Sequence, residues 1–367
     1  MGYCLMRITR YQTKVVRVPV ASGPVDLLGP DPALFFVLLT LETDTGLNGI
    51  SYAGFTNHLL VPALNSLVAS LAEQTTGRDP VDTESVTADL SALAGSGAPA
   101  GLVTRAVAAI DVAMWDLKGK QCELPVYKLL GGFQDRVPTY YSGKLWRPYT
   151  LDELADTASE LVRQGHQAMK FRMGAETTVA KEIERMKVMR EAVGPDIDLM
   201  LDINQGWDVN RSITVGRKLA DFNLYWLEDP IDHQDHAGLA QIADVLDTPV
   251  TAGEYHYGLA PLRYMLEHRS ADILMVDLLR VGGITQWMKA AHLAEAFNIP
   301  VVSHLAPEYL AHCVAASPNG LTVEWMPWAF PLFKEPPKIN QGMLELSQLP
   351  GFGLEFDNES IDRMEIK

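Results

Sequence analysis

The sequence of 367 residues is poor in cysteine and has no long apolar run. Its three cysteines, Cys4, Cys122 and Cys313, lie far apart without a CxxC pair, which argues against a zinc site or a disulfide framework and indicates a reducing compartment. The longest apolar stretch, residues 33–39, is far too short to cross a bilayer. The N-terminus lacks the apolar segment and cleavage site of a signal peptide, and position 6 lacks the Ser or Thr of a myristoylation signal. We therefore expect a cytoplasmic protein.

Positive charge is also scarce, since 30 Lys and Arg residues stand against 46 Asp and Glu residues, for a net charge of −16. This balance argues against nucleic acid and against an anionic membrane as partners. It does not exclude an anionic small molecule, because a bound metal or a local group of cations can reverse the sign inside a pocket. With 47% hydrophobic residues, the chain is long enough for one large α/β barrel or for two domains.

The first third of the chain has strands followed by helices. The segments ITRYQTKVVRV and LFFVLLTLETDTG are rich in β-forming residues, and the second ends in a turn. The segments LLVPALNSLVASLAE and LVTRAVAAIDVAMWDLKGK that follow have apolar residues at helical spacing. This order predicts an α+β capping domain over residues 1–125.

From about residue 137 onwards, short apolar segments that each end on a polar residue alternate with amphipathic helical stretches. Eight such units occur in succession, which favours a closed barrel over a doubly wound sheet, although both folds alternate in this way. We predict a modified TIM (β/α)8-type barrel over residues 126–330. The turn-rich segment 331–367 is expected to pack back on the capping domain and complete it. Catalytic groups of such barrels lie at the C-terminal ends of the strands.

Three acidic residues end three successive predicted strands: Asp202, Glu228 and Glu254. At one side of the barrel mouth they would repel one another unless a cation lay between them. Oxygen ligands with room for water and substrate suit Mg²⁺ better than zinc. Taken singly, each acid reads as an ordinary loop or helix-cap residue, but their common position after apolar strands favours a metal site. Asp229 is expected either to support the site or to be solvated.

The sixth and seventh predicted strands end on Asp277 and His304, which neighbouring strands bring within hydrogen-bonding reach. The carboxylate would hold the imidazole in one tautomer and raise its basicity, as in a general acid/base pair. Lys170 and Arg172 end the second strand on one face, since side chains alternate along a strand. Glu324 ends the eighth strand.

Several motifs in order and spacing resemble the mandelate racemase group of the enolase superfamily, from the capping domain to the eighth strand. They are AAIDVAMWDLKGKQCELPVYKLLGG, LDINQGW, WLEDP, AGE, VDLLRVGGITQWMKAAHLAEAFNIPVVSHLAPE and VEW. The resemblance implies the Mg²⁺ ligands, Asn204 near the substrate, and an acid/base role for the Asp–His pair. It also implies that Glu324 binds the substrate carboxylate as a protonated or strongly shared carboxyl group. The implied metal ligands are Asp202, Glu228 and Glu254, and the implied acid/base pair is Asp277 and His304.

One position departs from the racemase pattern Lys-x-Lys, whose second lysine acts as a base: this chain has Arg172 there. Guanidinium is a poor proton acceptor, and a racemase needs a base on each face of the α-carbon. A dehydratase can use His304 alone, first as base and then as acid. Lys170 and Arg172 would then neutralise the enediolate and orient the substrate, although either remains open as a base.

We therefore expect abstraction of the α-proton of a hydroxy carboxylate and, most specifically, dehydration of an acid sugar, an aldonate or an aldarate, to a 2-keto-3-deoxy acid. A racemase or epimerase, a lactone cycloisomerase and a non-catalytic metal-binding barrel are the alternatives. His256 is expected to line the pocket, and Lys144 with Arg147 to meet a distal carboxylate unless both are merely exposed. Loops around residues 18–29 and 52–57 are expected to set specificity. We also expect a homo-oligomer, either a dimer or an octamer.

Overall fold

The structure is a computed structural model that describes residues 5–20, 32–95 and 100–366. Its N-terminal part contains a three-stranded antiparallel sheet in the order β1-β2-β3. The first two strands match the segments expected from the sequence, whereas the third is additional. The strands are β1 (Ile8–Pro19), β2 (Ala33–Thr43) and β3 (Asn48–Thr56).

Three helices follow this sheet: α1 (Val61–Glu73) and α3 (Leu102–Gln121) pack against it, and α2 (Thr83–Ala94) packs against α3. The sequence pattern predicted α1 and α3, and α2 is additional. Helix α3 is buried along most of its length, because it also contacts helices of the second part of the chain. Within the described residues, no helix combines the length and the apolar composition that crossing a membrane requires.

Eight parallel strands form a closed barrel, since the last strand pairs with the first through Glu324 and Tyr140. The polar strand ends expected from the sequence fall at or within two residues of the ends of these strands, which confirms the predicted barrel. The strands are β4 (Arg136–Tyr141), β5 (Ala168–Arg172), β6 (Asp198–Asp202), β7 (Leu224–Glu228), β8 (Val250–Ala252), β9 (Ile273–Asp277), β10 (Val301–His304) and β11 (Gly320–Trp325).

Helices alternate with the barrel strands and cover their outer faces, while aromatic and aliphatic side chains fill the barrel interior, among them Tyr140, Met200 and Trp226. The strands are nearly all buried because both of their faces are covered. The helices are α4 (Val126–Leu129), α5 (Leu151–Arg163), α6 (Val179–Val193), α7 (Val209–Leu219), α8 (His236–Val245), α9 (Leu259–Glu267), α10 (Leu278–Val281), α11 (Ile284–Ala296) and α12 (Pro307–Ala316).

The last segment contacts both parts of the chain. Its strands β12 (Ile339–Asn340) and β13 (Met343–Glu345) extend the barrel sheet, because β13 pairs antiparallel with β4. Helix α13 (Asn358–Met364) lies against the N-terminal sheet, and the backbone N–H of Ile366 donates to the carbonyl of Val15 at 2.9 Å. The segment therefore packs back on the N-terminal part as expected, while the boundaries 1–125, 126–330 and 331–367 stay a prediction.

Candidate active site

The strand ends of the barrel bring the predicted polar residues to one mouth. Strand register pairs Arg172 with Asp202, and Asp202 in turn with Glu228. On the other side of the barrel, it pairs Asp277 with His304. All five side chains are at least nine-tenths buried. Alternation along parallel strands is therefore sufficient to gather these groups at one place.

A group of three carboxylates lies at this mouth. Within the described residues, one carboxylate oxygen from each of Glu228, Asp229 and Glu254 lies within 4.8 Å of the other two. The expected set was Asp202, Glu228 and Glu254, so two of its members are in the group and Asp229 takes the third place. Asp229 is not solvated, because only 1% of it is exposed. Its φ of +40° is unusual for a non-glycine residue and belongs to the turn that follows the strand.

Asp202 lies one strand away and has other partners. Its Oδ1 accepts from the backbone N–H of Asn204 at 2.8 Å, and its Oδ2 accepts from the Asn204 side-chain amide at 2.9 Å. The same Oδ2 lies 3.7 Å from Lys170 Nζ and 3.7 Å from Arg172 Nε. Asn204 therefore orients Asp202, and the role of Asp202 as a metal ligand stays a prediction.

The buried charges at the mouth do not balance, which fits a bound divalent cation. Both oxygens of Asp229 are buried without a hydrogen-bond partner, and burial raises the pKa of this carboxyl well above its usual range. Burial also raises the pKa of Glu228 to about 8. Five carboxyl groups face three permanently cationic side chains, Lys170, Arg172 and Arg280. An oxygen-rich set with this excess of negative charge suits Mg²⁺. The carboxyl groups are those of Asp202, Glu228, Asp229, Glu254 and Glu324.

Lys170 lies inside the barrel, where its ammonium group forms ion pairs with three acids. Its Nζ lies 2.5 Å from Glu228 Oε1, 2.9 Å from Glu324 Oε1 and 3.7 Å from Asp202 Oδ2. Burial lowers the pKa of this lysine, but attraction to the carboxylates is stronger, so the pKa is raised well above its usual range. Lys170 is consequently held as a cation that can bind an anionic substrate group.

The resemblance implied a protonated or strongly shared carboxyl group at Glu324, and in the structure this group contacts Lys170. Burial alone would raise its pKa, but Lys170, His304 and a hydrogen bond of 2.7 Å from the backbone N–H of Leu305 lower the pKa to about 2. The carboxylate is therefore ionised at neutral pH. A hydrogen-bonded donor role for Glu324 requires that the substrate or the metal first weaken its contact with Lys170.

The predicted His–Asp pair is present. His304 Nδ1 lies 2.7 Å from Asp277 Oδ2. Asp277 is also the N-cap of α10, because its Oδ1 accepts from the backbone N–H of Arg280 at 2.7 Å. The carboxylate is thus oriented by the helix that it caps. Burial opposes ionisation, but the bond to His304 and the Arg280 charge prevail and lower the pKa of Asp277.

The second nitrogen of His304, Nε2, lies 3.1 Å from Glu254 Oε2 and so points to the group of acids. Burial would lower the pKa of His304, but the Glu254 and Asp277 carboxylates outweigh burial and raise it. With Nδ1–H donating to Asp277, the neutral ring has its free electron pair on Nε2. The arrangement can accept a proton from a molecule bound beside Glu254.

Arg172 is fastened to the loop after the first barrel strand. Its Nη1 donates to the carbonyls of Ser142 at 2.7 Å and Lys144 at 3.2 Å, and its Nη2 donates to Ser142 Oγ at 2.8 Å. The guanidinium also lies 4.0 Å from the centre of the Trp146 ring. These contacts turn the Nη atoms of Arg172 towards the protein.

A cavity of about 860 Å³ opens above these groups, with walls from both parts of the chain. Asn57 and Arg105 come from the N-terminal part, and Asn204, Glu254 and His304 come from the barrel. Its volume is in the range of small-molecule sites. Sequence reasoning missed several lining residues. Tyr255 and Tyr257 directly follow the strand end at Glu254, a signal that was available, whereas the pattern of α3 did not single out Arg105. The missed residues include Trp146, Tyr255, Tyr257, Trp328 and Arg105.

Two predicted substrate contacts are not found at the cavity. His256 faces away from it and stacks on His236 with ring centres 5.2 Å apart, and burial together with neighbouring histidines lowers the pKa of His256 to about 4. The backbone turns after Gly253, so Tyr255 and not His256 faces the cavity. Lys144 does not line the cavity either; together with burial, which is the larger cause, its charge lowers the pKa of His166.

The predicted specificity loops have different outcomes. Residues 52–56 belong to strand β3, and Phe55, Thr56 and Asn57 line the cavity. Residues 18 and 19 belong to β1, residue 20 follows it, and the expected loop from residue 21 to residue 29 lies outside the described residues. Arg147 does line the cavity, where its Nη2 donates to Asn204 Oδ1 at 2.8 Å.

Comparison with known proteins supports the architecture. Residues 11–131 match the model of the mandelate racemase / muconate lactonizing enzyme N-terminal domain, and residues 153–360 match the model of the enolase C-terminal domain-like family. L-talarate/galactarate dehydratase of Salmonella typhimurium is 29% identical over 324 residues, which are 88% of this chain and 81% of that protein. A 3,6-anhydro-alpha-L-galactonate cycloisomerase of Streptomyces coelicolor is 27% identical over 98% of this chain and 99% of its own length.

A solved structure is similar over the full length. The crystal structure of L-talarate dehydratase from Polaromonas sp. JS666, complexed with Mg and L-glucarate, has a TM-score of 0.91 and 31% sequence identity. The similarity covers 99% of this chain and 98% of that chain. Together, the two matched domains, the closed barrel and its acidic mouth show that this chain belongs to the mandelate racemase / muconate lactonizing enzyme family of the enolase superfamily.

Proposed function

We propose that this protein is a Mg²⁺-dependent lyase that dehydrates an acid sugar, an aldonate or an aldarate, to a 2-keto-3-deoxy acid. The Asp277–His304 pair carries the proposal, since it presents one base to a cavity beside buried acids. The dehydratases among its relatives support the substrate class. We further propose that the protein acts in the cytoplasm as a homo-oligomer, and light scattering after size-exclusion chromatography measures the oligomeric state.

The residues for the metal are the acids at the barrel mouth. Glu228 and Glu254 would hold Mg²⁺ together with Asp202 or with Asp229. The oxygens of Asp229 have no hydrogen-bond partner among the described residues and lie beside those of Glu228 and Glu254. When bound, the metal polarises the substrate carboxylate and thereby lowers the cost of removing the neighbouring proton.

His304 performs both proton transfers in the proposed reaction. Its Nε2 removes the α-proton, while Asp277 stabilises the imidazolium through the 2.7 Å bond to Nδ1. The imidazolium then returns the proton to the β-hydroxyl as that group leaves as water. Both steps take place on one face of the substrate, so the elimination is syn. The enol product tautomerises to the 2-keto acid.

Lys170 and Arg172 act as charges rather than as bases. Lys170 is held as a cation by Glu228 and Glu324 and can attract the substrate carboxylate. Arg172 donates through both Nη atoms to the loop after β4, which leaves it no proton-accepting role. Among the described residues we therefore infer no second base for the opposite face of the α-carbon, which disfavours racemisation.

The decisive test uses D2O and the His304→Asn variant. A panel of aldonates and aldarates with Mg²⁺ is followed by NMR for formation of the 2-keto acid and for deuterium at the α-carbon. We expect the wild type to dehydrate one α-epimer and the variant to show neither product nor exchange. Exchange by His304→Asn at a rate near that of the wild type would identify Lys170 or Arg172 as the base. Interconversion of epimers without loss of water would contradict the dehydratase proposal.

Lactone cycloisomerisation is the second candidate function. It uses the same removal of an α-proton, and a cycloisomerase is among the relatives that match over nearly the whole chain. The product distinguishes the two, because cycloisomerisation opens a ring without release of water. Incubation with sugar lactones or anhydro sugar acids and Mg²⁺ would show an isomer of unchanged mass in that case.

A further inference from the structure

Four arginine side chains line the cavity, and three of them are occupied by the protein itself. Arg172 is bound to the loop after β4, as described above. Arg147 Nε donates to the carbonyl of Met173 at 2.6 Å, and its Nη2 donates to Asn204. Arg280 Nη1 donates to the Glu254 carbonyl at 2.7 Å and lies 3.8 Å from Glu254 Oε1. These three cations orient the protein groups of the barrel mouth.

Arg105 is different. It lies on helix α3 of the N-terminal part, is half-buried, and donates through Nη1 to the carbonyl of Gly54 at 3.2 Å. This is a contact with a neutral group, and Arg105 forms no ion pair within 4.0 Å with a carboxylate of the described residues. Arg105 belongs to the wall of the cavity, to which Asn57 and Leu102 of the N-terminal part also contribute, and the hydrogen-bond donors of its guanidinium other than Nη1 have no partner among the described residues.

The barrel end of the cavity is already suited to one carboxylate, because Lys170 and the proposed metal supply positive charge there. A substrate with only that carboxylate would leave the charge of Arg105 unpaired in the bound state, after the substrate has displaced water from the cavity. A cation at the wall that lacks a protein counter-charge is suited to a second anionic group on the ligand.

We propose that Arg105 binds the distal carboxylate of a dicarboxylic acid sugar, so that the substrate is an aldarate rather than an aldonate. This inference rests on the proposed function and narrows its substrate class. Arg105 is then a specificity-determining residue supplied by the N-terminal part, while the chemistry stays in the barrel. Guanidinium can bind the carboxylate through two parallel N–H···O bonds, and this geometry favours binding of a ligand of the correct length.

A purely internal role for Arg105 is less consistent with the contacts. Its charge helps to lower the pKa of Asp277, so it lies near that carboxylate. However, both oxygens of Asp277 already accept hydrogen bonds, from Arg280 and from His304. Asp277 therefore does not need Arg105 to satisfy it, and Arg105 is left for the ligand.

The test compares pairs of six-carbon acids that have the same configuration and differ only at the end, which is a carboxylate in the aldarate and a hydroxymethyl group in the aldonate. We expect the wild type with Mg²⁺ to have a higher kcat/KM for the aldarate. Arg105→Met should lower kcat/KM for the aldarate about 10- to 100-fold, the usual cost of a lost hydrogen bond to a charged group. Its value for the aldonate should change by less than about threefold. Arg105→Lys should keep part of the preference.

Arg263→Met is the matched control, because Arg263 is exposed and pairs only with Glu267 on its own helix in the described structure. It should leave both values unchanged. A binding measurement separates this inference from the proposed reaction. In the inactive His304→Asn background with Mg²⁺, calorimetry should show that Arg105→Met weakens binding of the aldarate about 10- to 100-fold and leaves binding of the aldonate unchanged.

If Arg105→Met lowers kcat/KM equally for both acids, or if the wild type prefers the aldonate, the proposed role of Arg105 is wrong while the proposed dehydration still stands. If no acid is dehydrated but Arg105→Met still weakens only the dicarboxylate, the inference stands and the proposed reaction fails.

Discussion

Replacing Lys170 by Met tests the charge balance at the barrel mouth. The ammonium group lies 2.5 Å from Glu228 and 2.9 Å from Glu324, and 2% of the side chain is exposed. Met has a similar length and no charge, so the variant removes the cation without leaving a large cavity. Removing one partner of a buried ion pair costs about 3–5 kcal/mol, because the remaining charge stays in a poorly solvated place. We expect Lys170→Met to lose this much stability at pH 8.5 in EDTA.

The loss should depend on pH and on metal. Burial already raises the pKa of Glu228 to about 8 against the attraction of Lys170, and removing the lysine raises it further. At pH 6 the carboxyl group holds a proton in both folded proteins, whereas at pH 8.5 the wild type has largely released it. Lowering the pH to 6 should therefore reduce the loss by only about 0.7 kcal/mol, which is about 1.4 kcal/mol per pH unit over the half unit between pH 8 and pH 8.5. Mg²⁺ should stabilise the variant more than the wild type, since the ion no longer competes with an ammonium group for the same carboxylates.

Urea unfolding followed by tryptophan fluorescence at pH 6 and pH 8.5, with EDTA or with excess Mg²⁺, measures the free energy of unfolding under each condition. Lys187→Met is the control, because Lys187 is exposed and its distance of 3.7 Å from Glu191 makes a surface pair worth less than about 1 kcal/mol. If Lys170→Met in EDTA is as stable as the wild type at both pH values, the acids do not depend on the lysine. An equal gain from Mg²⁺ in both proteins would show that the metal does not share its ligands.

Three further outcomes are expected. EDTA should abolish turnover and added Mg²⁺ should restore it, and full activity after rigorous removal of metal would contradict the metal site. Arg172→Lys should retain part of the dehydration activity but lose about 3 kcal/mol of stability in urea unfolding. An ammonium group replaces only one of the three hydrogen bonds of Arg172, and each lost bond is worth about 1.5 kcal/mol. Unchanged stability would show that these bonds are not formed. Burial raises the pKa of Asp111 to about 7, so this group contributes stability below about pH 4 that is lost as the pH rises through 7. Asp111→Asn should therefore reduce the fall in melting temperature between pH 5 and pH 8. If the melting temperature of the variant falls as steeply as that of the wild type, the raised pKa of Asp111 is refuted.

The sequence alone was enough for the barrel and for most of its mouth. Parallel strands buried on both faces appear as short apolar runs, and each run here ends on a polar residue at the mouth. Asp277 and His304 were paired correctly for this reason, because neighbouring strands in register place their last residues side by side. The β2 strand and the α3 helix were recognised because their apolar patterns are long.

Tertiary structure decided what lies beyond the strand ends. The chain turns after β7 and β8, and the direction of each turn depends on contacts with distant residues. Asp229 therefore lies beside Glu228 and Glu254, and Tyr255 rather than His256 lines the cavity. The sequence pattern does not show which of two adjacent residues after a strand faces the site.

Protonation was likewise a tertiary property. The resemblance implied a protonated or strongly shared carboxyl group at Glu324, yet Lys170, which lies two strands away in the barrel, lowers the pKa of Glu324 to about 2. Arg105 shows the same limit for specificity. Its helix is recognisable in the sequence, but only the docking of that helix over the barrel places a cation at the wall of the cavity, because the contact joins residues far apart in the chain.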